Sequence, residues 1–334
     1  VFVYIIAIIS IIAGFVYRRP EIAMWVGFGL AGYSAIANDS IQTLGTFLTT
    51  NKKRPWWLLW LFIGGILVAT NIYGYLNSGG SIHFGRLDSI PQPESFSYLQ
   101  LLSPIILITL TRFKMPVSTS FLLLSTFSNA KTIQGMLTKT FMGYVVAFVV
   151  AFVVWSLIAH WSRQFFINKD RKVRSYWYVL QWLTTGFLWS QWLMQDTANI
   201  AVFIPRTISL YQLIGILVFL FSAVGYLMYI RGDRIQSIVR EKKDINNVRS
   251  ATIIDFIYAI ILMYFRGMNN LPMSTTWVFL GLLAGRELAL TEKSENGDAL
   301  PFKRSLRLVG KDILLAGFGL AISLILAVLI NGNV

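Results

Sequence analysis

Two polar clusters interrupt apolar sequence: Asn38-Asp39-Ser40-Ile41-Gln42-Thr43 and Gln195-Asp196-Thr197-Ala198-Asn199. Each places one carboxylate among amides and hydroxyls, with no Lys or Arg within about a helical turn. A carboxylate at the centre of a membrane helix costs roughly 2.5–3.5 kcal/mol on insertion scales, so it needs a partner or a purpose. A helix cap or a lysine partner is the plain alternative, but the two clusters stand at matching places in the chain. The chemistry they suit is binding of a hard cation such as Na⁺, or of a proton, because such ions take oxygen ligands. Asp39 and Asp196 are the expected anionic ligands. Asn38, Gln42, Asn199, Gln195, Ser40, Thr43 and Thr197 offer neutral oxygens.

A second pair of segments suits an anion. Phe113-Lys114-Met115-Pro116-Val117-Ser118-Thr119-Ser120 and Asn269-Asn270-Leu271-Pro272-Met273-Ser274-Thr275-Thr276 both carry a helix-start signature. Proline favours the first turn, and Ser or Thr satisfies its free N–H groups. A helix that starts within the membrane points its positive dipole end and unpaired donors at whatever lies before it. Ser118, Thr119, Ser120, Ser274, Thr275 and Thr276 are therefore the expected anion-binding residues. The plain alternative is an ordinary cap at the membrane surface.

The elements that must position these residues follow from composition. Of 334 residues, 55% are hydrophobic and 13% charged, about half the charge of a soluble domain. Runs long enough to cross a bilayer fall at 1–17, 22–50, 56–76, 138–161, 176–204, 208–230 and 312–330. Shorter apolar pieces at 99–111, 117–128, 252–265 and 273–285 are too short to span alone and read as re-entrant or broken helices. The polar clusters are read as helix breaks within 22–50 and 176–204. The expected fold is an all-α polytopic membrane protein.

The landmarks also recur in order. Asn38-Asp39 returns as Gln195-Asp196, and Pro116–Ser120 returns as Pro272–Thr276. Gly74-Tyr75 matches Gly225-Tyr226, and each half ends in a long apolar helix. The chain reads as a duplication: 1–161 and 176–334, joined by a basic cytoplasmic linker at 162–175. The loop at 51–55 is basic while its counterpart at Pro205-Arg206 is not, and the loop at 77–98 is poor in positive charge while 231–250 is rich in it. Equivalent loops thus prefer opposite sides by the positive-inside rule, as in an inverted-topology repeat with two re-entrant hairpins. Loops 162–175 and 286–311 are also cytoplasmic on this map. Arg18-Arg19 then face outside, against the rule.

The net charge of +14 lies mostly between apolar runs, which suits orientation and lipid headgroups and gives no reason to expect nucleic acid. There are no cysteines. His83 and His160 stand apart, so no metal is expected beyond Na⁺ at the cation positions. The first segment reads as a helix, without a cleavage site after it. Asp255 reads as a helix-start dipole partner at the interface. Arg112, Lys114 and Arg266 read as snorkelling side chains, and the eleven tryptophans as interface aromatics at helix ends.

With these residues in view, the chain resembles the inorganic phosphate transporter (PiT) family, which carries an inverted repeat and a Gly-Ala-Asn-Asp-Val-Ala-Asn signature in each half. The first copy here is Ile36-Ala37-Asn38-Asp39-Ser40-Ile41-Gln42, followed by Leu44-Gly45-Thr46. The second is Leu193-Met194-Gln195-Asp196-Thr197-Ala198-Asn199. Pro116–Ser120 and Pro272–Thr276 look like the family's Pro-x-Ser-Thr-Thr hairpin starts. Ile36 and Leu193 replace the leading Gly, Gln195 replaces an Asn, and Phe121 and Trp277 stand where a His often follows. The resemblance implies Na⁺- or H⁺-driven uptake of an inorganic anion, phosphate first, then sulfate or bicarbonate, with Asn38 and Gln195 of the two signatures joining the Ser/Thr residues as anion-binding residues. The expectation is thus a secondary transporter, not an enzyme, with no cofactor beyond the coupling ion. It would sit in a lipid bilayer, the bacterial inner (plasma) membrane, with a homodimer as one assembly. A passive channel built from inverted half-helices is the alternative.

Overall fold

The computed structural model describes residues 2–113, 115–161, 174–230, 248–291 and 302–332. The elements are α1 (Phe2–Val16), α2 (Pro20–Thr50), α3 (Trp56–Asn77), α4 (Tyr98–Arg112) and α5 (Thr119–Leu124), with a 3₁₀ turn at Ser125–Phe127. They continue as α6 (Ala130–Trp161), α7 (Tyr176–Ala201), α8 (Leu210–Tyr229), α9 (Val248–Met268), α10 (Thr275–Thr291) and α11 (Phe302–Asn331). Among the described residues there is no strand.

Local chemistry sets the helix starts. Pro20 opens α2, where its missing N–H costs nothing. Ser97 with Gln100, and Ser209 with Gln212, form capping boxes at α4 and α8. Among the described residues, five helices (α3, α6, α8, α9 and α11) are long and apolar enough to cross a membrane. Their outer faces expose Leu61, Val145, Val149, Val218, Leu314 and Leu329, while Asn, Asp, Ser and Thr are buried inside. That distribution suits a hydrocarbon solvent, which accepts apolar side chains and rejects unpaired polar ones. The chain is an integral membrane protein.

Helices α2 and α7 pack against each other at the centre, α2 also against α4, and α7 against α9. Helix α3 lies on α7 and α8. The short α5 and its 3₁₀ turn sit on α11, and α10 sits on α6. That last contact is the closest: a Cβ at Gly281 or Gly285 would collide with the backbone carbonyls of Tyr144 or Phe148. Two glycines four residues apart let helices meet backbone to backbone, where packing rather than the hydrophobic effect drives association in lipid.

Several expected boundaries move. Helices α2 and α7 run unbroken through the polar clusters, because the side chains there satisfy one another and the backbone keeps its own ladder. Helix α9 has 21 residues, long enough to span, where the apolar run 252–265 is short; buried Val248, Arg249, Ser250 and Ala251 extend it. Helices α6 and α11 begin well before 138 and 312, and residues 286–291 belong to α10 rather than to a loop. The linker 162–173, the loop 231–247 and residues 292–301 lie outside the described residues, so the basic loops there are known from sequence alone.

Candidate ion and anion site

The two polar clusters face each other across the α2–α7 contact, and the starts of α5 and α10 meet them there. In the first cluster, Asn38 Nδ2 donates to Asp39 Oδ1 (2.8 Å), Val117 O (3.0 Å) and Thr119 Oγ1 (3.0 Å). Thr111 of α4 donates to Asn38 Oδ1 (2.8 Å), and the Thr119 hydroxyl also bonds the Asp39 carboxyl. In the second, Asn199 Nδ2 donates to Asp196 Oδ1 (2.7 Å) and Ser120 Oγ (3.2 Å). Thr275 donates to Asp196 Oδ2 (2.7 Å).

The bonds then cross between halves. Ser120 lies within 3.2 Å of both Asp196 Oδ1 and Met273 O. Gln42 Nε2 donates to Thr276 Oγ1 (3.1 Å), and Thr276 donates to Val117 O (3.2 Å). Ser118 and Ser274 cap their helices by accepting from Phe121 N and Trp277 N. Thus Thr119 and Thr275 serve the carboxylate of their own half, while Ser120 and Thr276 reach into the other. All twelve expected site residues are buried, none more than 9% exposed.

Three oxygens in this cluster find no hydrogen-bond donor: Asp39 Oδ2, Gln42 Oε1 and Asn199 Oδ1. Buried acceptors without partners are rare and call for a ligand. One carboxylate oxygen and two amide oxygens are the hard donor types that suit Na⁺. Ser40 and Thr43 do not contribute their hydrogens, since they turn back on the carbonyls of Ile36 and Asp39. Among the described residues no group of three His, Asp or Glu side chains is placed to hold a metal ion.

Similarity to proteins of known structure lies in the fold. One solved structure, described as "the sodium-dependent phosphate transporter", superposes with a TM-score of 0.60 at 16% identity, covering 98% of this chain and 100% of that one. No family model and no curated protein sequence matches the chain. The chain therefore has the fold of a transporter, at an identity that carries fold alone.

Three features of the site escape the sequence. The first is Arg86, 1% exposed, from the loop between α3 and α4. Its guanidinium donates to Gln195 Oε1 (2.6 Å) and to Leu271 O (2.8 Å) and Asn269 O (3.3 Å). Burial pulls Arg86 down to about 10, with the Asp196 carboxylate acting the other way, so it stays charged at neutral pH. Gln195 is turned by this contact: its amide donates to Leu262 O (2.9 Å), away from Asp196. The second is Lys139 of α6, which donates to Asn269 O, Asn269 Oδ1 and Leu271 O at 2.7–2.9 Å. Two basic side chains thus grip the peptide that leads into α10.

The third is Asp255, which is no interfacial dipole partner. It sits 1% exposed in the middle of α9 and accepts from Thr46 of α2 (3.1 Å) and Thr185 of α7 (2.5 Å). Trp189 and Trp192 likewise depart from the interface, stacked at 4.7 Å in the interior of α7. Arg112 is exposed and lies 4.2 Å from the Phe2 ring, while Lys114 lies outside the described residues.

Proposed function

We propose that the chain is a secondary active transporter coupling inward movement of Na⁺, or of H⁺, to uptake of an inorganic anion. Phosphate is the first substrate to test, then sulfate and bicarbonate. The observation that carries this reading is the meeting of two like polar clusters and two like hairpin starts at one buried place, with unpartnered oxygens left over. Asp39 with Gln42, Asn38 and Asn199 is the cation side, and Asp196 is the second carboxylate. The first turns of α5 and α10, at Ser118–Ser120 and Ser274–Thr276, are the anion side, through the N–H groups that a helix start leaves free. A cation and an oxyanion held close offset each other's charge, so each favours the other's binding.

The chain is read as an inverted repeat of 1–161 and 176–334. The packing supports it: α2 against α4 is matched by α7 against α9, and α5 on α11 by α6 on α10. Alternating access then comes from movement of elements about the shared site.

The test is uptake of radiolabelled phosphate into proteoliposomes under an inward Na⁺ gradient or a K⁺ gradient, with sulfate and bicarbonate as competitors. Saturable accumulation above equilibrium that needs Na⁺ is the expected result. If Na⁺ is silent, an inward proton gradient is the next arm. Downhill flux indifferent to both gradients would replace this reading with the channel.

A further inference from the structure

The two carboxylates are not equivalent, and the difference rests on Arg86. Both Asp196 oxygens accept hydrogen bonds, Oδ1 from Asn199 and Ser120 and Oδ2 from Thr275. The neighbouring amide oxygen, Gln195 Oε1, is filled by the Arg86 guanidinium at 2.6 Å. At Asp39 the corresponding amide oxygen, Asn38 Oδ1, is met by a neutral hydroxyl, Thr111. Asp39 Oδ2 has no partner, and neither has Gln42 Oε1 one turn further on. Among the described residues of the second half the open buried side-chain oxygens are all neutral: Asn199 Oδ1 and Gln191 Oε1 on α7, and Ser250 Oγ on α9.

A buried carboxylate is stable only with a compensating positive charge or a proton. Arg86 is held in place by two carbonyls and shares them with Lys139, so it cannot leave as an ion would. Only the Asp39 side retains an anionic oxygen without a partner.

We infer that Arg86 is a tethered cation serving the second half of the site, so that the protein takes up a single exchangeable monovalent cation, at Asp39 and Gln42. This rests on the cation-coupled reading above and adds its stoichiometry: one coupling ion where two like clusters would otherwise bind two.

The test is equilibrium binding of ²²Na⁺ to the purified chain in nanodiscs. About one ion per chain is expected for the native protein, and none for Asp39→Asn. Arg86→Gln should raise the number toward two, and Arg86→Lys, which keeps the charge, should leave it at one. If Arg86→Gln does not fold, Asp39→Asn and Arg86→Lys still decide the matter. Two ions in the native chain, or one ion surviving Asp39→Asn, overturns the tethered-cation assignment and leaves the transporter reading standing. No bound Na⁺ in the native chain removes the assignment and the Na⁺-coupled form of that reading together.

Discussion

Replacing Asp255 should separate its hydrogen-bonding role from its charge. The carboxylate joins three helices: its own α9, α2 through Thr46, and α7 through Thr185. Asp255→Leu leaves two buried hydroxyls without their acceptor. Each orphaned polar group costs about 1–3 kcal/mol, giving about 2–6 kcal/mol for the pair. A helical Thr can turn its hydroxyl back to the carbonyl four residues earlier, which offsets part of the loss and favours the lower end, about 2 kcal/mol. For a chain of 334 residues, at about 2.1 cal/mol/K of unfolding entropy per residue, that lowers Tm by about 3 °C. Asp255→Asn keeps one acceptor and adds a donor that a rotated hydroxyl can accept, so its cost should stay below about 1 kcal/mol. The assay is thermal unfolding in detergent, with Thr46→Val added to each variant. Coupling should appear between Thr46→Val and Asp255→Leu, since both remove the same bond. A Leu variant melting with the native protein, or an Asn variant as damaged as the Leu one, would refute the bridging role.

Three further predictions concern the ion, the packing and the outer loop. If Na⁺ at about a hundred times its Kd stabilises the native chain by about 2.7 kcal/mol, Asp39→Asn should reduce this to below about 0.1 kcal/mol. Losing one charge at about 4 Å and an effective dielectric constant of about 20 is worth about 4 kcal/mol, roughly a thousandfold in affinity. Thermal shifts with and without Na⁺ measure it. Gly285→Ala should lower Tm despite the roughly 1 kcal/mol that Ala gains over Gly in a helix, because its Cβ meets the Phe148 carbonyl; Gly317→Ala, with open space around it, should raise Tm. His83 is buried with Nδ1 unpartnered, and burial, then Arg206, lowers its pKa below the usual 6.5, with Asp88 opposing. The unfolded chain then binds the proton more readily, so stability is full above about pH 6.5 and falls as pH drops below it. His83→Asn should flatten that slope in pH-dependent melting curves.

The sequence spoke clearly where a residue type was costly for its surroundings. A carboxylate in apolar sequence had to mean something, and Asp39 and Asp196 do lie together with the Ser/Thr hairpin starts. Asp255 obeys the same rule, but its closeness to a basic loop masked it: only the length of α9 shows that it stands well inside the helix. Arg86 left no signal, since one arginine in a loop with two acids, Asp88 and Glu94, looks solvated. Its role depends on how the loop between α3 and α4 folds inward. A turn there needs a positive φ at Phe84 (52°) and at Gly85 (75°), so of that pair only Gly85 hints at the geometry in sequence. The helix breaks expected at the polar clusters are absent because side chains from a distant part of the chain meet those polar groups, which no local pattern reveals.

The seating of α5 on α11 bears on how the protein is made. Phe121, Leu122, Leu123 and Leu124 are fully buried in a helix of six residues, too short to hold itself together. Its supports come from α11, far along the chain: Leu326 beside Leu122, Ser323 O accepting from Ser125, and Asn331 donating to Ser125 O and Ser128 O. During synthesis, nearly two hundred residues must leave the ribosome before α5 finds the surface it rests on. Until then the start of α5, with Ser118, Thr119 and Ser120, has no seat in the bilayer, and a helix made much later supplies it.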